Sequence, residues 1–377
     1  MSHSPRLISA VDYVLEDPQL WLERLSRGKW GDRIPHLERD ADGTDVWVVD
    51  NRRVALSGVA GVGALMADRV ESPRRWDEVP DAAYRPMARI AAMDQSGVDR
   101  SILYPMLAGF SGENLGAIID PELELACVQA YNDWLIDEWG RSSDRFIPQC
   151  IVPLSSPEAA VREIGRAIRN GHKGVVFPSV PMHIRDAPHI NGPEYDSIWA
   201  ACQDFDVPIC LHAGSSRQLR YPVASSYRSE VAAAMESVIR PASAVFDLVN
   251  FLFSRILLRF PRLKAVFAES SIGWGTFLLE YADHQYDQDH CDYELKPSEM
   301  FARQCYLTTW YERVDNDGSC VDPSKIMWAT NFPTANSSWP DTADRVSDCL
   351  SNLGDNEREQ VLWGNAAKVY KLLSVVD

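Results

Sequence analysis

Short apolar runs alternate along this chain with longer amphipathic stretches, and the run that organises the rest is Val207-Pro-Ile-Cys-Leu-His-Ala-Gly214. Continuous apolarity of this kind, without period-two alternation, predicts a parallel strand buried on both faces. Its last polar residue, His212, falls where such a strand meets its following loop. Seven further runs have the same character: Leu7–Val14, Arg100–Pro105, Phe146–Leu154, Lys173–Pro178, Leu263–Ser270, Cys305–Trp310 and Ile326–Asn331.

Helical patterns fill most of the intervals. Pro86–Gln95 stops at Gly97, Pro121–Gly140 has acidic residues in its first turn, and Pro157–Asn170 starts after Ser156 and ends at Gly171. These are the residue types that open and close helices. Tyr195–Phe205, Ser229–Phe260 with a break near Pro241, Trp274–Tyr286, Ala343–Leu350 and Glu357–Leu373 complete the set. Strands separated by helices, repeated to a count of eight, predict an α/β fold of the closed (β/α)8 TIM-barrel type over residues 1–377 as one domain. No glycine-rich fingerprint follows the first strand, which argues against a dinucleotide-binding sheet. Residues 19 to 80, rich in tryptophan and poor in periodicity, are expected to form an insertion after strand one. That insertion would cover a pocket rather than join the core.

Composition narrows the classes. No run of about 18 apolar residues predicts a membrane span, and the first ten residues lack the apolar core of a secretory signal. A net charge of −17 opposes nucleic-acid binding, which needs a basic face. The eight cysteines include no CxxC pair, so neither a zinc cluster nor a disulfide framework is expected, and a reduced cytoplasmic protein is.

In a barrel the C-terminal ends of different strands converge on one pocket. The polar residues placed there are Asp12 and Tyr13, Tyr104, His212, Glu269 with Ser270 and Ser271, Thr308 and Thr309, and Asn331 with Thr334. A carboxylate closing an apolar run is costly to bury unless something uses it, although Glu269 also sits where it could cap the next helix. His212 and Glu269 together make either an acid–base pair or part of a metal site. A hydrolytic metal site wants three or four ligands, which the other strand ends do not obviously supply. Arg217 and Arg220, just past His212, are either a grip for a substrate carboxylate or solvated loop residues.

With those residues in view, the chain resembles the amidohydrolase-related family, in the branch of aminocarboxymuconate-semialdehyde and resorcylate-type decarboxylases. The resemblance runs nearly end to end. It covers Ile8-Ser-Ala with Glu16-Asp-Pro and Leu20-Trp21, Met93-Asp94 with Gly97-Val98-Asp99, and Ala130-Tyr-Asn-Asp-Trp-Leu135. It continues through Lys173-Gly-Val-Val176, the His212 strand, Phe267-Ala-Glu-Ser270 with Gly273-Trp274, Met327-Trp328 and Gly364-Asn-Ala-Ala367. It implies a (β/α)8 barrel and a small aromatic or unsaturated carboxylic acid as substrate, decarboxylated, hydrolysed or rearranged. It also implies that His212 stands at the strand-five metal ligand and Glu269 at a glutamate common in the branch.

The departures are at the other ligand positions. Where the family has an acidic residue or histidine, a spacer and a histidine, this chain has Val11-Asp12-Tyr13, and the strand-eight aspartate is Asn331. Valine cannot ligate, a tyrosine would have to ionise from a pKa near 10, and an amide brings no charge. The expectation is therefore a metal-independent enzyme without cofactor, for which the superfamily's pyrone dicarboxylate lactonases are a precedent. His212 and Glu269 would be acid and base, Tyr13 a hydrogen-bond or proton donor, Asn331 an oxyanion partner, and Asp12 a further catalytic candidate. Arg217, Tyr104, Trp274, Thr309 and Trp328 would contact substrate. One alternative is a metal enzyme with His212, Glu269 and Asp12 as altered ligands to one Zn2+ or similar ion; another is a non-catalytic binding protein on a decayed barrel. The expected partner is a small molecule, and a homodimer follows from the resemblance alone.

Overall fold

The computed structural model describes residues 6–54, 60–69, 72–215, 226–315 and 320–372. Its barrel strands, numbered in chain order, are β1 (Ile8–Val14), β2 (Arg100–Pro105), β3 (Phe146–Pro148 and, past Gln149, Cys150–Ile151) and β4 (Val175–Val176). They continue as β5 (Ile209–His212), β6 (Ala265–Ala268), β7 (Cys305–Thr309) and β8 (Ile326–Trp328). All neighbours pair in parallel, β1-β2-β3 in one ladder and β3 through β8 in sequence order in another, the two meeting in β3 at Gln149. Each strand is buried almost throughout, as the unbroken apolar runs predict.

The ring closes between β8 and β1. The Asn331 N–H donates to the Val11 carbonyl at 2.9 Å and the Tyr13 N–H to the Phe332 carbonyl at 2.7 Å. Asp12 rivets the same seam. Its carboxylate accepts from Ser9 Oγ at 2.9 Å, Thr330 Oγ1 at 2.5 Å, the Phe332 N–H at 3.0 Å and Ser101 Oγ of β2 at 2.5 Å. It borders a void of only about 10 Å3 beside Arg89 and Trp339, too small for a ligand. Asp12, expected from the sequence as a catalytic or ligand residue, has both carboxylate oxygens engaged at this seam. Successive strand side chains face opposite ways; Tyr13 reaches His212, and Asp12 takes its four donors from β1, β2 and the segment after β8.

Local signals place the helices. Pro86–Ser96 ends at Gly97 with φ +71°, and Pro157–Asn170 is opened by Ser156 Oγ, which accepts from the Ala159 N–H at 3.1 Å. The break at Pro241 is a single 3-10 turn, Arg240–Ala242, between helices Ser229–Ile239 and Ser243–Phe253. A proline, lacking an N–H, interrupts the helical ladder there.

The insertion departs from expectation. It contains a three-stranded antiparallel sheet, His36–Arg39, Asp45–Val49 and Arg52–Val54. Trp21 and Trp47 are fully buried within the apolar cluster that also contains the barrel strands. Burial of so large a side chain contributes on the order of 3 kcal/mol, so this stretch is part of the core. Its tryptophans are spaced irregularly because they pack on a neighbouring layer, not along one helix or strand face. Among the described residues no helix is long and apolar enough to cross a membrane.

Candidate active site

His212 ends β5 and is fully buried. Its imidazole lies in an aromatic cage: Phe110 stacks on it at 4.9 Å between centroids, and Tyr13 and Tyr104 each approach to 5.5 Å at steep angles. Two hydrogen bonds fix its tautomer. The Gly214 N–H donates to Nδ1 at 2.9 Å, so the ring proton resides on Nε2, which donates to the Tyr13 hydroxyl at 2.7 Å. Gly214 has to be glycine for this approach, since a Cβ there would stand 2.5 Å from Phe110 Cδ2 and 3.0 Å from His212 Nδ1.

Protonating this ring would cost the Gly214 bond and place a cation in an apolar cage. Burial accordingly pushes the His212 pKa down to about 4, with Glu269 opposing and Arg240 assisting the fall. The imidazole is neutral through the physiological range. Histidine-selective NMR should show the His212 ring unprotonated, with its proton on Nε2, down to pH 5; titration near 6.5 would contradict this environment. The folded pKa lies below the unfolded one, so this group withdraws stability as pH falls from about 6.5 to about 4.

Glu269 follows β6 in the adjacent register, Ala268 pairing with His212. Its backbone φ is +53° and its side chain is buried; left-handed backbone in a non-glycine residue is a strain that persists where surroundings enforce it. Oε2 lies 3.8 Å from His212 Nε2 and has no hydrogen-bond partner among the described residues. Oε1 accepts from Asn336 Nδ2 at 2.7 Å and faces Arg240 Nη1 at 3.5 Å. Glu269 does not cap the helix Gly275–Gln288. The N–H groups of Ile272 and Gly273 are taken instead by Glu312, which also holds Ser271 and Thr309.

Asn331 follows β8, again with positive φ (+52°), is fully buried, and has neither its amide oxygen nor its nitrogen paired among the described residues. Each unpaired buried polar group costs about 1–3 kcal/mol. Such groups persist in native structures for a reason.

The structure brings Tyr13, Tyr104, His212 and Glu269 together. Thr309 is engaged with Glu312, and Trp274 Nε1 donates to the Ser270 carbonyl at 2.8 Å. Trp328 is fully buried in the barrel wall. Arg217, and Arg220 with it, lie outside the described residues. Three participants escape sequence reasoning. Arg240 sits on the Pro241 turn, where only the break is legible. Asn336 lies in the loop after β8. Phe110 is set by Glu16, whose buried carboxylate accepts from the N–H groups of Met106, Leu107 and Ala108; burial raises that carboxyl to about 7. Glu16-Asp-Pro is legible as part of the resemblance, but its target is not.

Comparison with known proteins places the chain. The amidohydrolase family model matches residues 49–372. A gamma-resorcylate decarboxylase of Polaromonas sp. (strain JS666) is 22% identical over 306 residues, 75% of this chain and 86% of that one. Among solved structures, an amidohydrolase from Mycobacterium avium subsp. paratuberculosis K-10 superposes with a TM-score of 0.74 at 19% identity, over 98% of this chain and 100% of the other. A dihydroxybenzoic acid decarboxylase from Polaromonas sp. JS666, with bound manganese and the inhibitor 2-nitroresorcinol, gives 0.64 at 17% identity over 98% of each chain. That manganese overturns the expectation of a metal-independent protein with no cofactor: a decarboxylase of the same fold holds a divalent ion. Against such an ion, this chain's own donors fit poorly. A ligating histidine normally donates from its other nitrogen, whereas His212 Nδ1 accepts and Nε2 carries the proton. Among the described residues no three His, Cys, Asp or Glu side chains are grouped to hold a metal.

Proposed function

We propose that this chain, which belongs to the amidohydrolase family, is a decarboxylase of small hydroxylated aromatic acids, with His212, Glu269 and Tyr13 at its reacting centre. The observation that carries the reading is the set of unpaired buried polar atoms at two strand ends, Glu269 Oε2 and both ends of the Asn331 amide. The hydroxyl and carboxylate groups of a bound substrate would supply the partners these atoms lack among the described residues.

In this reading the substrate ring lies beside Tyr13 and Glu269 Oε2, and its carboxylate faces Arg240, which stands 3.5 Å from Glu269 Oε1. Arg240 takes the part the sequence assigns to Arg217. Glu269 Oε2 receives the proton of the ring hydroxyl and passes it to the ring carbon that bears the carboxylate. The carbon–carboxylate bond then breaks, its electron pair restores the aromatic ring, and carbon dioxide leaves. The resulting phenolate regains one proton from water. Tyr13, whose phenol is held well above its usual range by burial and by Glu269, stays neutral and donates to the ring oxygen as its charge develops, while the neutral His212 donates from Nε2 to the Tyr13 hydroxyl and orients it. Asn331 supplies a further amide hydrogen bond.

The gamma-resorcylate and dihydroxybenzoic acid decarboxylases named above support this substrate class. Release of carbon dioxide from 2,6-dihydroxybenzoate and related hydroxybenzoates, measured with manganese supplied, tests it. Turnover of at least one member, lost in Arg240→Met by a rise in KM, is the expected result. A protein that binds 2-nitroresorcinol but converts none of the acids would sink the reading in favour of a binding protein.

A further inference from the structure

We propose that Asn336 is the positioning residue for Glu269, and that the insertion after β1 holds Asn336 in place through Arg69. The proposal rests on the reading that Glu269 Oε2 handles the proton, and extends it to a segment remote in sequence.

Asn336 gives Glu269 its shortest hydrogen bond, Nδ2 to Oε1 at 2.7 Å, against 3.5 Å for Arg240. Its amide is oriented for this. Thr334 Oγ1 lies 2.5 Å from Asn336 Oδ1 and donates along that line, shared with the Asn331 carbonyl at 2.7 Å. The amide nitrogen is thereby left for Glu269. Among the described residues one carboxylate oxygen is held and the other, on the His212 side, has no hydrogen-bond partner, the asymmetry a proton carrier needs. A neutral donor does this without competing with Arg240 for the substrate's charge.

Loop 333–339, which carries Asn336, is gripped from outside the barrel. Arg69 spreads its guanidinium over three of the loop's carbonyls: Nη1 donates to Ser337 at 2.7 Å and Ala335 at 3.3 Å, and Nη2 to Trp339 at 2.5 Å. The Ala64 N–H donates to the Pro333 carbonyl at 3.0 Å. Gly63 lies so close that a Cβ would stand 2.8 Å from that of Ala335 and 2.5 Å from the Arg69 carbonyl oxygen. A planar five-donor fork meeting three carbonyls fixes a loop more rigidly than a point charge would. Carbonyls on both sides of Asn336 are held, so the path from insertion to Glu269 runs Arg69, loop backbone, Asn336 amide. Misplacement of a reacting group by about 1 Å can cost about 100-fold in rate, so a remote contact of this kind acts on turnover rather than on binding.

The test combines a readout that needs no substrate with a double-mutant cycle. The infrared carboxylate band absent from Glu269→Gln identifies Glu269. It should shift in Asn336→Ala, and shift the same way in Arg69→Met, with Arg69→Lys in between. An unmoved band in Asn336→Ala overturns the proposal, and an unmoved band in Arg69→Met overturns its remote half. With 2,6-dihydroxybenzoate as probe, Asn336→Ala should lower kcat about 10- to 100-fold with KM little changed, and Arg69→Met about 3- to 10-fold. The double variant should be no worse than Asn336→Ala alone. Additive losses, or a fall in thermal midpoint with kcat intact, would show a merely structural clamp. If Glu269→Gln itself retains full turnover, the proposed function fails; if it is inactive while Asn336→Ala is not, only this inference does.

Discussion

Glu269→Gln is expected to lower kcat on any accepted hydroxybenzoate by about 10^2- to 10^4-fold, the range over which a positioned acid–base group contributes, while the fold and the thermal midpoint survive. The substitution keeps the volume of a side chain that is almost fully buried and keeps an oxygen for Asn336 Nδ2, 2.7 Å away. It removes the one property chemistry needs, an oxygen at Oε2 that gains and loses a proton. It also sets an NH2 group toward His212 Nε2, now 3.8 Å from Oε2. Since that nitrogen already carries a proton, two donors would meet with no acceptor between them. His212→Ala should be comparably inactive, because the neutral Nε2–H donor and the ring that orders Tyr13, Tyr104 and Phe110 leave together. Steady-state assays with circular dichroism on the same samples check both. A Glu269→Gln protein retaining more than a tenth of wild-type turnover would remove Glu269 from the proton path.

Asp12→Ala should be the most damaging substitution for stability, at about 3–5 kcal/mol, without touching the reacting centre. Four donors from β1, β2 and the segment after β8 converge on this carboxylate, and alanine would take this buried acceptor from all of them. Asp12→Asn offers a sharp contrast. Oδ1 collects the Phe332 N–H, which cannot turn round, together with Thr330 and Ser9, and an amide oxygen still serves them. Oδ2 meets only Ser101, whose hydroxyl can rotate and accept from the new NH2. A loss of about 1 kcal/mol is expected, helped by the fact that burial already holds the Asp12 carboxyl above its usual range. Urea unfolding midpoints measure both changes. If Asp12→Asn instead abolished turnover with its midpoint unchanged, Asp12 would be a reacting group after all.

How far the sequence reaches can be judged residue by residue. The eight apolar runs and the caps at Ser156, Gly97 and Gly171 are local signals, and the barrel order and its helices follow from them. His212 and Glu269 are legible because each closes a run of buried strand residues, where a polar side chain is conspicuous. Asp12 and Tyr13 show the limit. They are equally polar neighbours at one strand end, and only the direction each side chain takes separates the rivet from the residue that meets His212. Alternation makes their faces opposite, but which face looks inward depends on how β1 sits between β2 and β8.

The sequence by itself determined the fold, the polar residues at its strand ends, and the residues Val11, Tyr13 and Asn331 at positions where the resemblance expects acidic residues and histidine. Tertiary structure alone decided what those residues touch. Asn336 meets Glu269 across 67 positions of chain, and Arg69 meets Ser337 across 268. The Gly214 N–H that fixes the His212 tautomer acts over only two positions, yet it depends on the loop turning back beneath Phe110. Periodicity encodes which face of an element is buried. It carries no information about where a loop's amide or guanidinium lands, because that is set by closure of the barrel and by packing of the insertion against it.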